Sequence, residues 1–364
     1  MKRSLLCLIA FFLSGCQISS RVAMQGQGGR EAYNITLQKT TNEQMLLNLV
    51  RLRYVDFPFF LDVSNITTQC SYSTKIKPVF PIPGFTSDNP AEIGAEASWQ
   101  NTPTITYTPL EGPDFASQLF YPIDLLTIAQ LIYAGWDVDR VLRVCVQSIY
   151  DIPNAPTTSA PLPDGVIPEF ERFMELTQLF RYFQIRSKLQ IGVSVDKTSQ
   201  SFIGKSLQFG FPSEGVEATK LRDMIPDTDE RIEGKYCLVD LALGFNKRIE
   251  SGILPRSLLA CMYYLSLGVD IPKAHELSHR ISCSCSSEGK VFDWRDVVGD
   301  LIQVHSSKTV PENAYVSVRY KGHWFYISES DVESKRTFVL LLQLYNLQSA
   351  PVKPSGPVLT LPLK

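Results

Sequence analysis

The sequence predicts an α+β fold: helices and antiparallel strands in mixed order, a helical hairpin in the N-terminal half, and a C-terminal β-hairpin followed by a terminal helix. Three observations carry that expectation. Apolar runs bounded by capping residues, prolines and glycines mark helices. Short aromatic and β-branched runs mark strands. Lys321-Gly322 lies between two such runs, Tyr315–Tyr320 and His323–Ser328, as a two-residue hairpin turn would. No internal repeat and no regular βαβ series runs through the sequence.

The chain opens with a basic pair, Lys2 and Arg3, an apolar stretch from Leu5 to Leu13, and then Leu13-Ser14-Gly15-Cys16. This pattern reads as a bacterial lipoprotein signal: residues 1–15 are cut away and Cys16 is acylated. The apolar stretch is too short for a spanning helix, which needs about 20 residues. Several acyl chains on Cys16 would give stable attachment to a membrane. Gln17, rather than Asp, follows the cysteine, the pattern of outer-membrane sorting with the globule facing the periplasm. Residues 16–29 are polar and glycine-rich, a tether reaching on the order of 20 Å.

Loss of Lys2 and Arg3 takes the net charge from −2 to −4, close to neutral for this length. That balance gives nucleic acid no electrostatic footing. The apolar content, 44%, supports one or two real cores. Cys70, Cys145, Cys237, Cys261, Cys283 and Cys285 remain in the body. Cys145 and Cys261 lie in apolar helical runs, where a reduced, buried cysteine is the default.

The first subdomain is expected over 30–150. Residues 30–54 read as helix, with a restart at the T-x-x-E box of Thr40 and Glu43. Met45 to Tyr54 is apolar nearly all round and so central, and Arg51 and Arg53 are expected to pair with Asp56 or Asp62. Phe57 to Tyr72 has strand character, and Pro103 to Thr108 is a weaker strand among prolines. A helix begins at Pro122 and stops at Gly135; a second, capped by Asp137 or Asp139, runs through Tyr150, with Trp136 at the corner. Residues 151–168 carry Pro153, Pro156, Pro161, Pro163 and Pro168 and read as a linker.

The second subdomain is expected over 169–348. Pro168 opens a helix to about Lys188; Leu189–Val195, Ser206–Phe211 and Tyr236–Phe245 read as strands. Pro255–Leu267 is an apolar helix ended by Gly268, and a short helix follows Pro272. Leu301–His305 and the two hairpin runs read as antiparallel strands. Ser330 and Glu333 form a second capping box that opens a helix to about Leu347, and residues 349–364 are a proline-rich, loose tail.

His275-Glu276-Leu277-Ser278-His279 is a literal H-E-x-x-H, with Cys283 four residues beyond. On a helix, two imidazoles four apart share a face and bind zinc while the glutamate activates water. Its surroundings argue otherwise. Lys273 and Arg280 flank the motif, Pro272 leaves the first histidine barely a turn of helix, and Arg280 to Glu288 contains neither the histidine nor the glycine of the extended motif. Ser199–Ser206 ends like a phosphate-binding loop but lacks its first glycine and leads into a strand. No G-x-S-x-G is present. In the aromatic strand HWFYI (323–327), Trp324 and Tyr326 share one face and are the candidates for partner binding.

Two pairs of stretches carry a resemblance. Asn42-Glu43-Gln44 with LLNLVRLRY (46–54) and FLDV (60–63) is one; RYKGHWFYI (319–327) with SKRTFVLLLQL (334–344) is the other. With GWDVDRVLRVCVQSI (135–149) and PRSLLACMYYLS (255–266), they resemble a family of uncharacterised bacterial exported proteins over most of 30–348. The resemblance implies a shared fold and no particular activity, cofactor or catalytic residue. It also implies that the segment after the Pro255 helix needs no H-E-x-x-H. The sequence thus predicts a lipid-anchored envelope protein that binds an envelope protein partner as a scaffold or assembly factor. The alternative is a membrane-tethered zinc hydrolase with His275, His279 and Cys283 as ligands and Glu276 as general base.

Overall fold

The computed structural model describes residues 30–77, 94–155, 167–195, 205–225, 231–243, 252–277, 281, 284 and 290–348. The lipobox with Cys16, the tether, His279, Cys283, Cys285 and the tail lie outside them. The chain is α+β, as its sequence predicts, and falls into two units: one takes residues 30–41 and 60–110, the other 42–59 and 111–348. Among the described residues no helix is long and apolar enough to cross a membrane.

Helix α1 (Arg30–Arg53) runs unbroken through the predicted restart at Thr40. The Thr40 hydroxyl donates to the carbonyls of Thr36 and Leu37, a bond made inside a helix, so it does not cap a new one. In the first unit, β1 (Leu61–Lys77) and β2 (Gly94–Pro109) form a long antiparallel hairpin in register from Leu61↔Pro109 to Lys77↔Gly94, with an irregularity between Val63 and Asn65. The expected strand at Phe57 therefore begins at Leu61. The Asn48 side chain holds the Phe59 backbone through N–H and carbonyl together, which fixes residues 57–60 as an extended connection.

The second unit begins its helices with α2 (Pro113–Phe120), then α3 (Leu125–Tyr133) and α4 (Val138–Cys145). Asp124, not Pro122, starts α3: its carboxylate accepts from the Leu126 N–H, while Pro122 bridges to Ser257. The α3–α4 hairpin turns at Trp136, whose carbonyl accepts from Gln184. Helix α4 does not continue to Tyr150. It gives way directly to β3 (Val146–Ile149), because those residues pair with a distant strand, and tertiary pairing overrides a local helical reading.

After β4 (Ile152–Pro153) come α5 (Glu171–Ile185), β5 (Gln190–Val195), β6 (Lys205–Pro212), α6 (Val216–Met224), β7 (Arg231–Glu233), β8 (Tyr236–Leu243) and β9 (Gly252–Pro255). The strands make one mixed sheet in the order β4-β3-β9-β8-β6-β5, with β7 beside β8 and only the β8–β9 pair parallel. Elements from both sides of residues 151–168 thus join one sheet. Helix α5 packs on it by aromatic stacking: Phe180 on Phe209 at 4.5 Å and Phe183 on Phe211 at 5.8 Å.

Helix α7 (Leu258–Ser266) is capped by Ser257, whose hydroxyl accepts from the Ala260 N–H; Pro255 belongs to β9 instead. Gly268 has a reason beyond stopping the helix. A Cβ there would sit 2.3 Å from the Ile302 carbonyl oxygen, and the closeness allows Val304 N–H to donate to Gly268 and Asp270 N–H to donate to Val304. Short helices α8 (Lys273–Leu277) and α9 (Arg295–Val298) follow. Strands β10 (His305–Ser307), β11 (Ala314–Tyr320) and β12 (His323–Ser328) form an antiparallel sheet in the order β10-β12-β11. Lys321 and Gly322 are both left-handed, at φ 43° and 87°, which makes the expected two-residue turn. Helix α10 (Val332–Gln348) is capped by Asp331, which accepts from the backbone and hydroxyl of Ser334, rather than by Ser330.

Candidate functional site

The C-terminal sheet has two chemically different faces. Phe325 and Ile327 point inward and are fully buried, as are Val316 and Val318 at slightly greater exposure. Trp324 and Tyr326 lie on the opposite face and are half-buried. Directly opposed residues of antiparallel strands share a face. Register therefore places Ser307 and Arg319 on either side of Trp324, and His305 and Ser317 on either side of Tyr326. His305 lies 5.5 Å from the Tyr326 ring, centre to centre, and its Nδ1 is 3.4 Å from Asp270, which the Gly268 contact positions. The outer face is thus two aromatics with an exposed arginine, an imidazole and two hydroxyls around them. It can stack against flat or apolar groups and hydrogen-bond to polar ones.

On the inner side, Tyr54 sits under the sheet with edge-on contacts to Tyr320 at 5.8 Å, Phe325 at 6.1 Å and His275 at 5.7 Å. The Tyr54 hydroxyl and His275 Nδ1 share a hydrogen bond of 2.6 Å, whose proton direction follows the imidazole tautomer. His323 packs edge-on against His275 at 4.8 Å, and its own Nδ1 is enclosed with no hydrogen-bond partner. Beside them Tyr320 donates to Asp56 at 2.5 Å and Lys321 donates to the same carboxylate oxygen at 2.7 Å, with its ammonium 4.7 Å from the Tyr54 ring centre. Burial pushes the Asp56 carboxyl upward, but the Lys321 and Tyr320 hydrogen bonds outweigh it and hold it below the usual carboxylate value. Burial, then the hydrogen bond to Asp56, pushes the Tyr320 phenol up to about 12.

Asp56 is placed by the end of α1. The Val55 N–H donates to Leu52 and the Asp56 N–H to Arg51, with Val55 left-handed at φ 59°, a Schellman ending. The pairing expected for Arg51 is different: its guanidinium donates to Asn48, while Lys321 takes Asp56. The second unit also contains a buried cation that the sequence reading missed. Arg256, 2% exposed, donates to the carbonyls of Arg143, Val144, Val146 and Asn154 and lies 4.0 Å over the Tyr264 ring. Asn154 donates to two of the same carbonyls. Arg143 and Arg140, both buried in α4, pair with Asp300 and Glu333.

Of the H-E-x-x-H residues, His275 is buried against Tyr54 while Glu276 next to it is exposed, so the two do not share a face of α8. His279 and Cys283 are outside the described residues. Among the described residues no three His, Cys, Asp or Glu side chains are grouped as a metal site would need. No protein-family model, no curated protein and no solved structure matches the chain.

Proposed function

We propose that the protein is a lipid-anchored component of the bacterial cell envelope that binds an envelope protein without chemistry of its own. Acylated Cys16 holds it to the membrane, on the periplasmic side of the outer membrane, and the tether keeps the globule close. The lipobox, the tether and Gln17 support the location. The binding reading rests on one observation: Trp324 and Tyr326 share the outer face of β12 with Arg319 and His305, while the neighbouring Phe325 and Ile327 serve the core. Rigid aromatics beside an arginine are the side chains that carry binding energy at protein interfaces.

The test is cross-linking from Ser317, on that face, in intact envelopes. Discrete products that disappear in Trp324→Ala and in Cys16→Ser are expected. Products unchanged in both variants, or a Cys16→Ser chain that stays in the membrane fraction, would sink the reading. The hydrolase alternative has its own measurement. About one zinc per chain by mass spectrometry, lost in His279→Ala, would replace the non-catalytic reading, with Glu276→Gln the next variant to assay.

A further inference from the structure

Strands β1 and β2 make a sheet of two strands only, 17 and 16 residues long, and among the described residues no third strand is hydrogen-bonded to either edge. A two-stranded ribbon is marginal in water on its own, and each open edge is a template for another strand. Its two faces differ throughout. Val63 pairs with Tyr107, Ile66 with Ile105, Tyr72 with Trp99 and Ile76 with Ala95, and directly opposed residues share a face. The alternate positions from Asn65 to Lys77 and from Glu96 to Thr108 make the other face. Every one of them is Asn, Thr, Gln, Ser, Lys or Glu. Thr68, Thr74 and Asn101 are the polar members of the first face.

The sequence slips phase between Val63 and Ile66, and the ribbon corrects it. Ser64 is the extra residue of the irregularity between Val63 and Asn65, so Leu61, Val63 and Ile66 stay on one side. Without it, one end of the apolar row would fall on the polar face. Ile105 and Tyr107 are 40% and 56% exposed, and Thr104 and Thr106 opposite them are exposed too. At this end of the ribbon, then, the apolar face is uncovered.

We infer that the β1–β2 hairpin inserts into the membrane that holds the lipid anchor. Hairpins from several copies of this chain pair edge to edge and close a transmembrane β-barrel, apolar face to lipid and polar face to a water-filled lumen. Strict apolar and polar alternation is the pattern of such strands. A spanning strand needs about 9–11 residues when tilted, which both strands exceed. Tyr107 and Trp99 lie eight residues apart on the lipid face, about 27 Å along the strand. Tilt reduces that to about 20 Å, close to the apolar band of about 25 Å that aromatic girdles flank. One hairpin cannot enter alone, because lipid satisfies no backbone group at its edges; closure by further copies does. The smallest barrels have about eight strands, which sets a minimum of about four copies. Pro103 withholds one N–H from these ladders, one gap in strands of this length.

The inference rests on the envelope location proposed above and not on the Trp324 face. To test it, the acylated full chain is extracted from membranes in detergent and reconstituted into phosphatidylethanolamine–phosphatidylglycerol vesicles that enclose carboxyfluorescein. Dye release that rises steeply with protein is expected, with cross-linked species of about four or more chains. Ile105→Lys charges the lipid face and should cut release about tenfold or more, with an unchanged unfolding midpoint. Thr104→Lys, its neighbour on the lumen face, should leave release within about twofold. No release at any protein-to-lipid ratio overturns the inference, as does wild-type release from Ile105→Lys or an equal loss in both variants. If Ile105→Lys does not fold, the wild type decides. Vesicles with brominated acyl chains should quench a part of the tryptophan emission that Trp99→Phe removes, and absence of quenching overturns the inference. The share of chain in the membrane fraction, measured first, tests the location separately. A retained chain that neither leaks nor quenches sinks the barrel alone, and a chain absent from that fraction overturns both readings.

Discussion

Arg256 and Lys321 each hold a cation over a tyrosine ring, at 4.0 Å and 4.7 Å, yet the chain treats them in opposite ways. Arg256 is enclosed and has no carboxylate among its hydrogen-bond partners, which are backbone carbonyls. Burial lowers its pKa, partly opposed by the neighbouring Tyr264 and thiols. Lys321 sits at the rim, partly in water, with a carboxylate in direct contact. The first arrangement joins α4, the 151–155 turn and α7, so its energy depends on a planar fork that reaches several acceptors. The second is an ordinary rim pair, weakened by solvent. Interior charge here organises the fold, whereas rim charge trims a surface.

Substitutions at the two cations should separate them widely. Arg256→Met removes charge-assisted hydrogen bonds to four buried carbonyls, two of which keep Asn154 as a donor, and should cost about 1.5–3 kcal/mol for each bond left unreplaced, read as a lower urea midpoint. Arg256→Lys should recover only part of that, because a single ammonium cannot span the same carbonyls. A full recovery would mean that charge alone matters there. Between the extremes lies Tyr54→Phe, which leaves His275 Nδ1 without its 2.6 Å partner and should cost about 1–3 kcal/mol.

At the rim, Lys321→Ala should cost under about 1 kcal/mol near neutral pH. Its pH dependence has a definite sign. The folded Asp56 carboxyl lies below its unfolded value of about 3.9, so its contribution is present above that pH and fades as pH falls through the folded value. The difference between wild type and Lys321→Ala should therefore shrink in acid. The smallest signal is spectroscopic. Tyr320 titrates at about 12, and Asp56→Asn should lower that value in an ultraviolet titration without returning it fully to normal, since burial is the larger cause.

Helix ends explain much of what was legible. Helices α1, α3 and α5 all finish in the same hydrogen-bond pattern, with a left-handed residue at Val55, Gly135 and Ser187 respectively. Only Gly135 announces itself in sequence, because glycine is the residue that adopts this conformation without a Cβ penalty. The capping boxes at Thr40 and Ser330 misled for a related reason: a hydroxyl three residues before a glutamate serves a helix interior or a neighbouring turn as readily as an N-cap. Glu333 in fact pairs with Arg140 across the unit.

The outer face of β12 is readable in the sequence because strand alternation is strict, which puts Trp324 and Tyr326 on one face. Arg256 is not, since its partners are main-chain carbonyls brought by segments remote in sequence, and carbonyls leave no residue signature. His275 was singled out for a different chemistry from the one its Tyr54 bond displays. Asp56 and Tyr320 are 264 positions apart, and nothing in either neighbourhood points to the other.

Val55 is a β-branched residue in a conformation that such side chains avoid, at φ 59° and 65% exposed to solvent. Glycine at that position would relieve the clash while keeping both Schellman hydrogen bonds, and exposure means little packing would be lost. Thermal tolerance should thus be open to improvement by up to about 1 kcal/mol through one surface exchange.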